Sequence, residues 1–238
     1  MGRAPSRRTS RALTVTDLVD TIRRRLREHA DPAIAPGQQA YMKSSMPFLG
    51  IRVPEARRIA KVAAREHPPA DLDDLGRSVR RLFDEATHRE ERYAAVALTA
   101  ERVARGRVEV LGLLEHLAVT GAWWDLVDEI AHRVGDVLAD HPTEAEPVVR
   151  RWIASDDLWL RRLAILCQLD FKDATDLALL TEAIDAAAES PEFFLRKAIG
   201  WALRQYSKVD PDWVRDFVRK REQVLSGLSQ REALKHVR

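Results

Sequence analysis

Short segments of similar character recur along this chain at a nearly constant interval. When these segments are set in register, successive equivalent positions are 34 or 35 residues apart. The six positions are Arg58, Tyr93, Asp128, Arg162, Lys197 and Glu232. Such an interval is typical of helix–turn–helix repeats, which stack into a solenoid with an extended concave surface. The spacing therefore predicts a chain built from stacked pairs of helices.

The pattern of apolar residues supports an all-helical fold. Apolar residues recur at helical spacing, as in Leu18, Val19, Ile22 and Leu26, and we find no alternating run that predicts a strand. Hydrophobic residues make up 45% of the chain and charged residues 32%, which is typical of a globular domain. We therefore expect an all-α solenoid as a single domain over residues 14–238, preceded by a disordered basic arm at residues 1–13.

Prolines and polar caps predict where several helices begin. Proline is favoured in the first turn of a helix, so Pro54, Pro191 and Pro211 predict three helix starts. Thr120 is predicted to cap the helix that carries the paired tryptophans, and Ser229 to open a capping box with the glutamate three residues later.

The composition argues against several kinds of site. Cys167 is the only cysteine and lies in an apolar run, so we expect a small buried core residue and no internal disulfide. The seven histidines include no pair at metal-ligand spacing. No run of about 18 apolar residues predicts a transmembrane helix, and the basic start lacks the apolar core of a signal peptide. We expect no metal, no cofactor and no membrane partner.

Cations recur among the register positions and close to them. Arg58, Arg162 and Lys197 occupy three of the six positions, and Arg204 follows Lys197 by seven residues. A groove lined with arginine and lysine suits a phosphate backbone. A net charge of only +2 permits nucleic-acid binding without arguing for it. The plainer interpretation, that these cations belong to solvated helix faces, stays open at this point.

Two tryptophans share helix faces with charged register positions. Asp128 follows Trp124 by four residues, and Trp201 follows Lys197 by four; residues four apart lie on the same face of a helix. A carboxylate beside an indole face suits a positive charge. Asp128 also has a structural interpretation, as a helix carboxylate paired with Arg162, and both interpretations stay open from the residues alone.

Four separated motifs carry a resemblance to a known family. They read YMKSSMPFLGI at 41–51, WWDLVD at 123–128, WIASDDLWLRR at 152–162 and EFFLRKAIGW at 192–201. In this order they closely resemble the AlkD family of bacterial DNA alkylation-repair glycosylases. The similarity extends from about residue 18 to the C-terminus, which is nearly the whole chain.

The resemblance implies a fold, a reaction and a partner. It implies HEAT-like repeats and hydrolysis of the N-glycosidic bond of cationic N3- and N7-alkylated purines, such as 3-methyladenine and 7-methylguanine. The partner would be double-stranded DNA containing alkylated bases, in the bacterial cytoplasm. Because a solenoid with one DNA groove has no need of a partner subunit, we expect a monomer. The damaged base would not be flipped into a pocket, unlike in most enzymes that act on bases.

The resemblance also implies catalytic residues. The family's catalytic aspartate matches Asp128, and the two tryptophans that flank the lesion's deoxyribose match Trp124 and Trp201. The alternative is a HEAT-like scaffold that binds DNA or protein without catalysis. Such a scaffold would keep the cations but would not need these three residues together.

The DNA-binding candidates form a larger set. By resemblance, Arg162 contacts the backbone beside the lesion, while Tyr41 and the paired Phe193 and Phe194 lie near the DNA. The remaining candidates are cations in the motifs or near the register positions, namely Lys43, Arg52, Arg58, Lys197 and Arg204. Arg52 stands where the family has glutamine, which would change the fit to the strand opposite the lesion.

Overall fold

The computed structural model describes residues 17–237, and within them it contains thirteen α-helices, two short 3-10 helices and no strand. The α-helices are α1 (Leu18–Glu28), α2 (Ala35–Met42), α3 (Val53–Glu66), α4 (Leu72–Asp84), α5 (Arg89–Leu98), α6 (Leu111–Gly121), α7 (Trp124–Asp140), α8 (Pro142–Ile153), α9 (Leu158–Leu166), α10 (Leu177–Ala187), α11 (Phe193–Tyr206), α12 (Pro211–Lys220) and α13 (Gly227–Ala233). The 3-10 helices are Val108–Val110 and Lys172–Ala174. The predicted all-helical fold is confirmed, whereas the predicted basic arm lies outside the described residues.

From α3 onward the helices alternate between two layers. The odd-numbered helices from α1 to α13 each pack against the next odd-numbered helix, and the even-numbered helices from α4 pack against them as a second layer. The six register positions fall one each on α3, α5, α7, α9, α11 and α13. A step of 34 or 35 residues therefore advances the chain by one helical pair, and the fold is a helical-repeat solenoid.

One hydrophobic core runs along the described chain. It extends from Leu18 in α1 to Ala233 in α13 and includes the fully buried Trp152. Cys167 is 2% exposed, as predicted for a small core residue. Burial raises the pKa of its thiol to about 12, so the thiol stays protonated near neutral pH.

Proline marks two of the three predicted helix starts. Pro54 and Pro211 lie in the first turns of α3 and α12. Pro191 lies two residues before α11, which begins at Phe193, so this predicted start is wrong.

The polar caps were predicted less well. Thr120 lies inside α6, where its hydroxyl donates to the carbonyl of His116, and α7 begins without a side-chain cap. The cap of α13 is Ser226, whose Oγ accepts the backbone N–H of Ser229. The predicted threonine and serine caps were therefore wrong, because Thr120 and Ser229 lie within α6 and α13 and not before a helix start.

A turn of two residues sets the direction of α7. Ala122 ends α6 in the left-handed region with φ of 43°, and Trp123 is extended with φ of −154°. The turn places Trp124 at the first residue of α7 and Asp128 one helical turn later.

The helices α7 and α9 approach each other closely at Gly135. A β-carbon on Gly135 would lie 2.5 Å from the carbonyl oxygen of Cys167, which is closer than real contacts allow. Glycine therefore permits this approach. The two helices that it brings together carry Asp128 and Arg162.

Candidate functional site

The candidate site is a cleft with two lobes on the odd-numbered layer. The first lobe has a volume of about 450 Å³ and is lined by Tyr41, Trp124, Asp128, Arg162, Phe193, Phe194, Lys197, Trp201, Arg204 and Glu232. The second lobe has a volume of about 380 Å³. The two lobes share Tyr41, Trp124 and Asp128. Five helices that are distant in sequence thus contribute to the first lobe.

The first lobe contains a two-pronged ion pair between Asp128 and Arg162. Arg162 Nε donates to Asp128 Oδ1 at 2.7 Å, and Arg162 Nη2 donates to Oδ2 at 2.9 Å. A further bond runs from Arg162 Nη1 to the carbonyl oxygen of Phe194 at 2.5 Å. The Arg162 side chain is 5% exposed, whereas that of Asp128 is 17% exposed. The carboxylate therefore has a fixed orientation and retains some access to the cleft.

Burial and charge act in opposite directions on Asp128. Burial raises the pKa of the Asp128 carboxyl above its ordinary value, and the hydrogen bonds and positive charge of Arg162 counteract part of that effect. The nearby charge of Asp125 raises the Asp128 pKa further. The net effect is a raised pKa, which makes this carboxyl a functional-site candidate on physical grounds.

Both tryptophans predicted from the sequence lie in the first lobe with Asp128. Trp124 on α7 and Trp201 on α11 are partly buried and pack against the core. Each also lines the cleft, so part of each indole faces the space beside the carboxylate. The structure thus brings the three predicted catalytic residues together in one cavity.

Two predicted DNA-binding cations in the first lobe share one carboxylate. Lys197 Nζ lies 3.1 Å from Glu232 Oε1, and Arg204 Nη1 donates to Glu232 Oε2 at 2.5 Å. The hydrogen bond from Lys197 lowers the pKa of Glu232, so this carboxylate stays charged. These contacts hold both cations at the cleft wall, with 37% of the Lys197 side chain exposed.

Arg58 is the register position that does not reach the cleft. Its guanidinium makes two hydrogen bonds to Glu55, three residues earlier on the same helix. Arg57 lines the second lobe instead and donates to Glu129 at 2.7 Å. Adjacent helix positions point about 100° apart, so the sequence alignment selected the wrong neighbour in α3.

The other predicted DNA-binding residues differ in exposure. Tyr41 is 76% exposed and Phe193 is 57% exposed, and both line the first lobe. Phe194 is partly buried in an aromatic cluster with Trp123 and Trp159, at ring-centroid distances of 5.3 and 5.1 Å. The paired phenylalanines therefore divide into one exposed ring and one packed ring.

Three cations on this side of the chain have contrasting surroundings. Lys43 and Arg52 are exposed, and neither makes an ion pair within residues 17–237. Arg162 is buried, and its guanidinium is committed to Asp128 and the Phe194 carbonyl. Its role as a DNA-backbone contact stays a prediction.

A second buried ion pair on α7 was not predicted from the sequence. Arg89 on α5 makes two hydrogen bonds to Asp125, and Tyr93 Oη donates to the same carboxylate at 2.5 Å. Burial and the negative charge of Asp125 raise the pKa of Tyr93. Tyr93 is a register position, but no sequence signal linked Arg89 to a carboxylate 36 residues away.

The described part of the chain offers neither a metal site nor a membrane span. Residues 17–237 contain no group of three or more histidine, cysteine, aspartate or glutamate side chains that could hold a metal ion. None of their helices has the length and apolar character needed to span a membrane.

A family model and a solved structure relate this chain to the same group of proteins. The family model described as DNA alkylation repair enzyme matches residues 22–237. Among solved structures, one described as a predicted DNA alkylation repair enzyme from Enterococcus faecalis is similar, with a TM-score of 0.76 and 33% sequence identity. That similarity covers 87% of this chain and 96% of the other. No curated protein matches. The chain therefore belongs to the DNA alkylation repair enzyme family.

Proposed function

We propose that the chain is a DNA glycosylase that hydrolyses the N-glycosidic bond of cationic N3- and N7-alkylated purines in duplex DNA. The observation that carries this proposal is the presence of Asp128, Trp124 and Trp201 in one cleft, with the carboxylate fixed by a buried arginine. Membership of a DNA alkylation repair enzyme family supports alkylated DNA as the substrate.

The chemistry of the lesion explains how one carboxylate can suffice. An N3- or N7-alkylated purine already carries a positive charge, so it leaves without being protonated. Ordinary glycosidases use a second carboxylic acid for that protonation. As the bond to the base breaks, positive charge develops on the deoxyribose, and Asp128 stabilises it electrostatically.

Asp128 retains the capacity to orient the attacking water. An ionised carboxylate offers about four lone-pair sites, and Arg162 uses one on each oxygen. The exposed part of the carboxylate faces the cleft and can accept a hydrogen bond from water. Arg162 also fixes the orientation of the carboxylate before the substrate arrives, which reduces the cost of reorganisation.

The indoles of Trp124 and Trp201 complement the developing cation. An aromatic face attracts a desolvated cation by about 1 to 2 kcal/mol. Both indoles line the lobe that contains Asp128, so a deoxyribose placed there would meet a carboxylate and two π surfaces.

We propose that DNA reaches this site without extrusion of the damaged base. In support, Tyr41 and Phe193 at the cleft are more than half exposed, and Lys43 and Arg52 are exposed cations. A duplex lying against these residues could present its deoxyribose edge to Asp128. We further propose that the chain acts as a monomer, because a solenoid with one DNA-binding groove needs no partner subunit, and that it acts in the bacterial cytoplasm, where a chromosomal substrate would lie.

The test is the release of free bases from defined duplex DNA. The wild-type chain should release 3-methyladenine and 7-methylguanine from methylated duplex and leave abasic sites. The matched control is a duplex of the same sequence that carries a neutral lesion, such as uracil or hypoxanthine. A neutral base needs a general acid to protonate it as it leaves, and the proposed mechanism has none. Release of the neutral bases at a comparable rate would contradict the mechanism.

A non-catalytic scaffold is the second candidate function. The observation that favours it is the two-pronged Asp128–Arg162 pair, which would join α7 to α9 even without a reaction. Binding of methylated duplex without any release of base would support the scaffold and contradict the glycosylase.

A further inference from the structure

The first turn of α7 has no side-chain cap. Trp123 occupies the N-cap position and makes no side-chain hydrogen bond to the helix. The turn that follows carries Trp124 and Asp125, and Asp128 lies immediately beyond it. The orientation of these residues therefore depends on contacts from other helices.

Helix α5 supplies such contacts through a buried clamp on Asp125. Arg89 Nε and Nη2 donate to the two oxygens of Asp125 at 3.2 and 2.5 Å, and Tyr93 Oη donates at 2.5 Å. The side chains of Arg89 and Asp125 are 5% and 8% exposed, so water does not compete strongly for these bonds. Three hydrogen bonds thus fix one carboxylate in the first turn of α7.

The clamp from α5 on Asp125 has a counterpart from α9, the helix of the following repeat. Arg162 of α9 holds Asp128 with two hydrogen bonds, as Arg89 of α5 holds Asp125. Asp125 and Asp128 are three residues apart, so they lie on neighbouring parts of one helix surface. The helix is therefore tied to both adjacent repeats at the point where it enters the cleft.

The first turn of α5 also holds another wall of the cleft. The buried carboxylate of Glu90 accepts the backbone N–H groups of Leu49, Gly50 and Ile51, at distances between 2.9 and 3.1 Å. Phe48, next to this turn, packs against Tyr93 with ring centroids 6.4 Å apart. One turn of α5 thus fixes two walls of the second lobe.

We propose that Arg89 and Tyr93 are positioning residues, which act through Asp125 to hold Trp124 and Asp128 toward the cleft. The inference rests on the proposed glycosylase function and deepens it. A buried ion pair contributes little net stability relative to apolar residues of similar size. The three hydrogen bonds to Asp125 instead fix the orientation of the end of α7 that carries Trp124 and Asp128.

The clamp also sets the charge balance around Asp128. Charged and titratable groups on several helices line the cleft with Asp128 or adjoin it: Asp125 and His132 on the same helix, Arg162 from α9, Arg89 and Tyr93 from α5, and the further charged residues of the two lobes, Arg57, Glu129, Lys197, Arg204 and Glu232. The negative charge of Asp125 raises the pKa of Asp128, and Arg89 offsets that charge. Removal of Arg89 should therefore raise the Asp128 pKa further.

The experiment uses four variants of the full chain: Tyr93→Phe, Arg89→Gln, Arg89→Lys and Tyr206→Phe. Tyr206 on α11 lies outside the cleft, where its ring makes an edge-to-face contact with Trp213. Tyr206→Phe is therefore the matched control. Three quantities are measured: the titration of the Asp128 carboxyl by carbon-13 NMR, the single-turnover rate of 7-methylguanine release, and the Kd for DNA.

The proposal gives a distinct result for each variant. Tyr93→Phe should lower the single-turnover rate roughly three- to tenfold, with a Kd for DNA within about twofold of wild type because no DNA contact is removed. Arg89→Gln should shift the Asp128 titration to higher pH, and Arg89→Lys should restore it because the charge returns. Tyr206→Phe should change none of the three quantities.

An Asp128 titration that is unchanged in Arg89→Gln would overturn the proposal, whether or not the chain excises bases. An unchanged rate for Tyr93→Phe beside an active wild type would overturn it as well, as would a loss explained by weaker DNA binding. A shifted titration in a chain that releases no base would support the clamp and contradict the glycosylase function instead.

Discussion

Asp128 accepts two hydrogen bonds from Arg162 and still has 17% of its side chain exposed. These two facts define its chemistry. The ion pair fixes the carboxylate, and the exposed part can face a developing cation or a water molecule. Burial raises the Asp128 pKa, while Arg162 opposes that shift, so the protonation of this residue is sensitive to its partner.

The pH dependence of excision follows from this balance. Asp128 must be ionised to stabilise a cationic sugar, and its pKa is raised. Activity should therefore be lost as pH falls through that raised pKa, at a higher pH than for an ordinary carboxyl. Arg162→Gln removes the opposing charge and should move this acidic limb upward by roughly one to three pH units.

The control for that prediction is Arg162→Lys, which retains the charge and should move the acidic limb less. The measurement is the single-turnover rate of 7-methylguanine release between pH 4 and 8, with folding checked by circular dichroism at each pH. An acidic limb that stays in place when Arg162 becomes glutamine would contradict the assignment of the limb to Asp128.

At the scale of the elements, α7 is held between α5 and α9 by buried ion pairs and by close backbone packing. The carbonyl of Cys167 lies so near Gly135 that an added β-carbon would be 2.5 Å from it. Asp128 lies on α7 and Arg162 lies on α9. The distance between the two helices therefore controls the geometry of this ion pair.

Gly135→Ala tests this dependence. The new methyl group must push α7 and α9 apart, because its neighbour is backbone and cannot rotate away. Overpacking of this kind costs about 1 to 3 kcal/mol, and we expect the excision rate to fall together with the free energy of unfolding. Urea unfolding and single-turnover kinetics measure the two effects.

Gly76→Ala is the matched control for that substitution. Gly76 lies inside α4, and an added β-carbon there would meet nothing within 4 Å. Alanine favours a helix over glycine by up to about 1 kcal/mol, so this variant should be more stable and equally active. Equal stability of the two alanine variants would contradict the close packing at Gly135.

The sequence predicted the helices better than it predicted where they begin or which side of each helix faces the cleft. Repeat spacing placed one register position on each odd-numbered helix from α3 to α13, because the spacing averages over many residues. It selected Arg58 where Arg57 faces the cleft, since an error of one residue rotates the predicted face by about 100°. The cap at Thr120 failed because that threonine lies inside α6.

The candidate site was predictable in part. Helical spacing grouped Trp124 with Asp128 and Lys197 with Trp201, and the fold brings all four into the first lobe. The clamp of Arg89 on Asp125 was not predictable, because that pairing depends on how neighbouring repeats dock. Its spacing of 36 residues carries no local signal.

At the scale of the whole molecule, the net charge of +2 is small and the placement of charge matters more. Many cations are tied to carboxylates, such as Lys220 of α12 with Asp216. Lys43 and Arg52 are exposed without a recorded ion pair in the described part of the chain. Because Lys43 and Arg52 are next in sequence to Met42 and Ile51, which line the second lobe, we expect these two cations to replace counterions on a phosphate backbone.

The salt dependence of DNA binding tests this placement. The logarithm of the DNA association constant falls linearly with the logarithm of the salt concentration. Lys43→Ala and Arg52→Ala should each make this slope shallower by about 0.9, if each side chain contacts one phosphate. Lys220→Ala on the outer layer is the control and should leave the slope unchanged. The same slope for all three variants and the wild type would contradict a DNA-binding face at Lys43 and Arg52.

The most direct test of the central claim is single-turnover release of 7-methylguanine by Asp128→Asn, with the Kd for the same duplex measured in parallel. Asp156→Asn, an exposed aspartate in the turn before α9, is the matched control. We predict that Asp128→Asn binds the duplex and loses excision by about 100-fold or more, while Asp156→Asn behaves as wild type. Excision at the wild-type rate by folded Asp128→Asn would contradict the proposed role of this carboxylate.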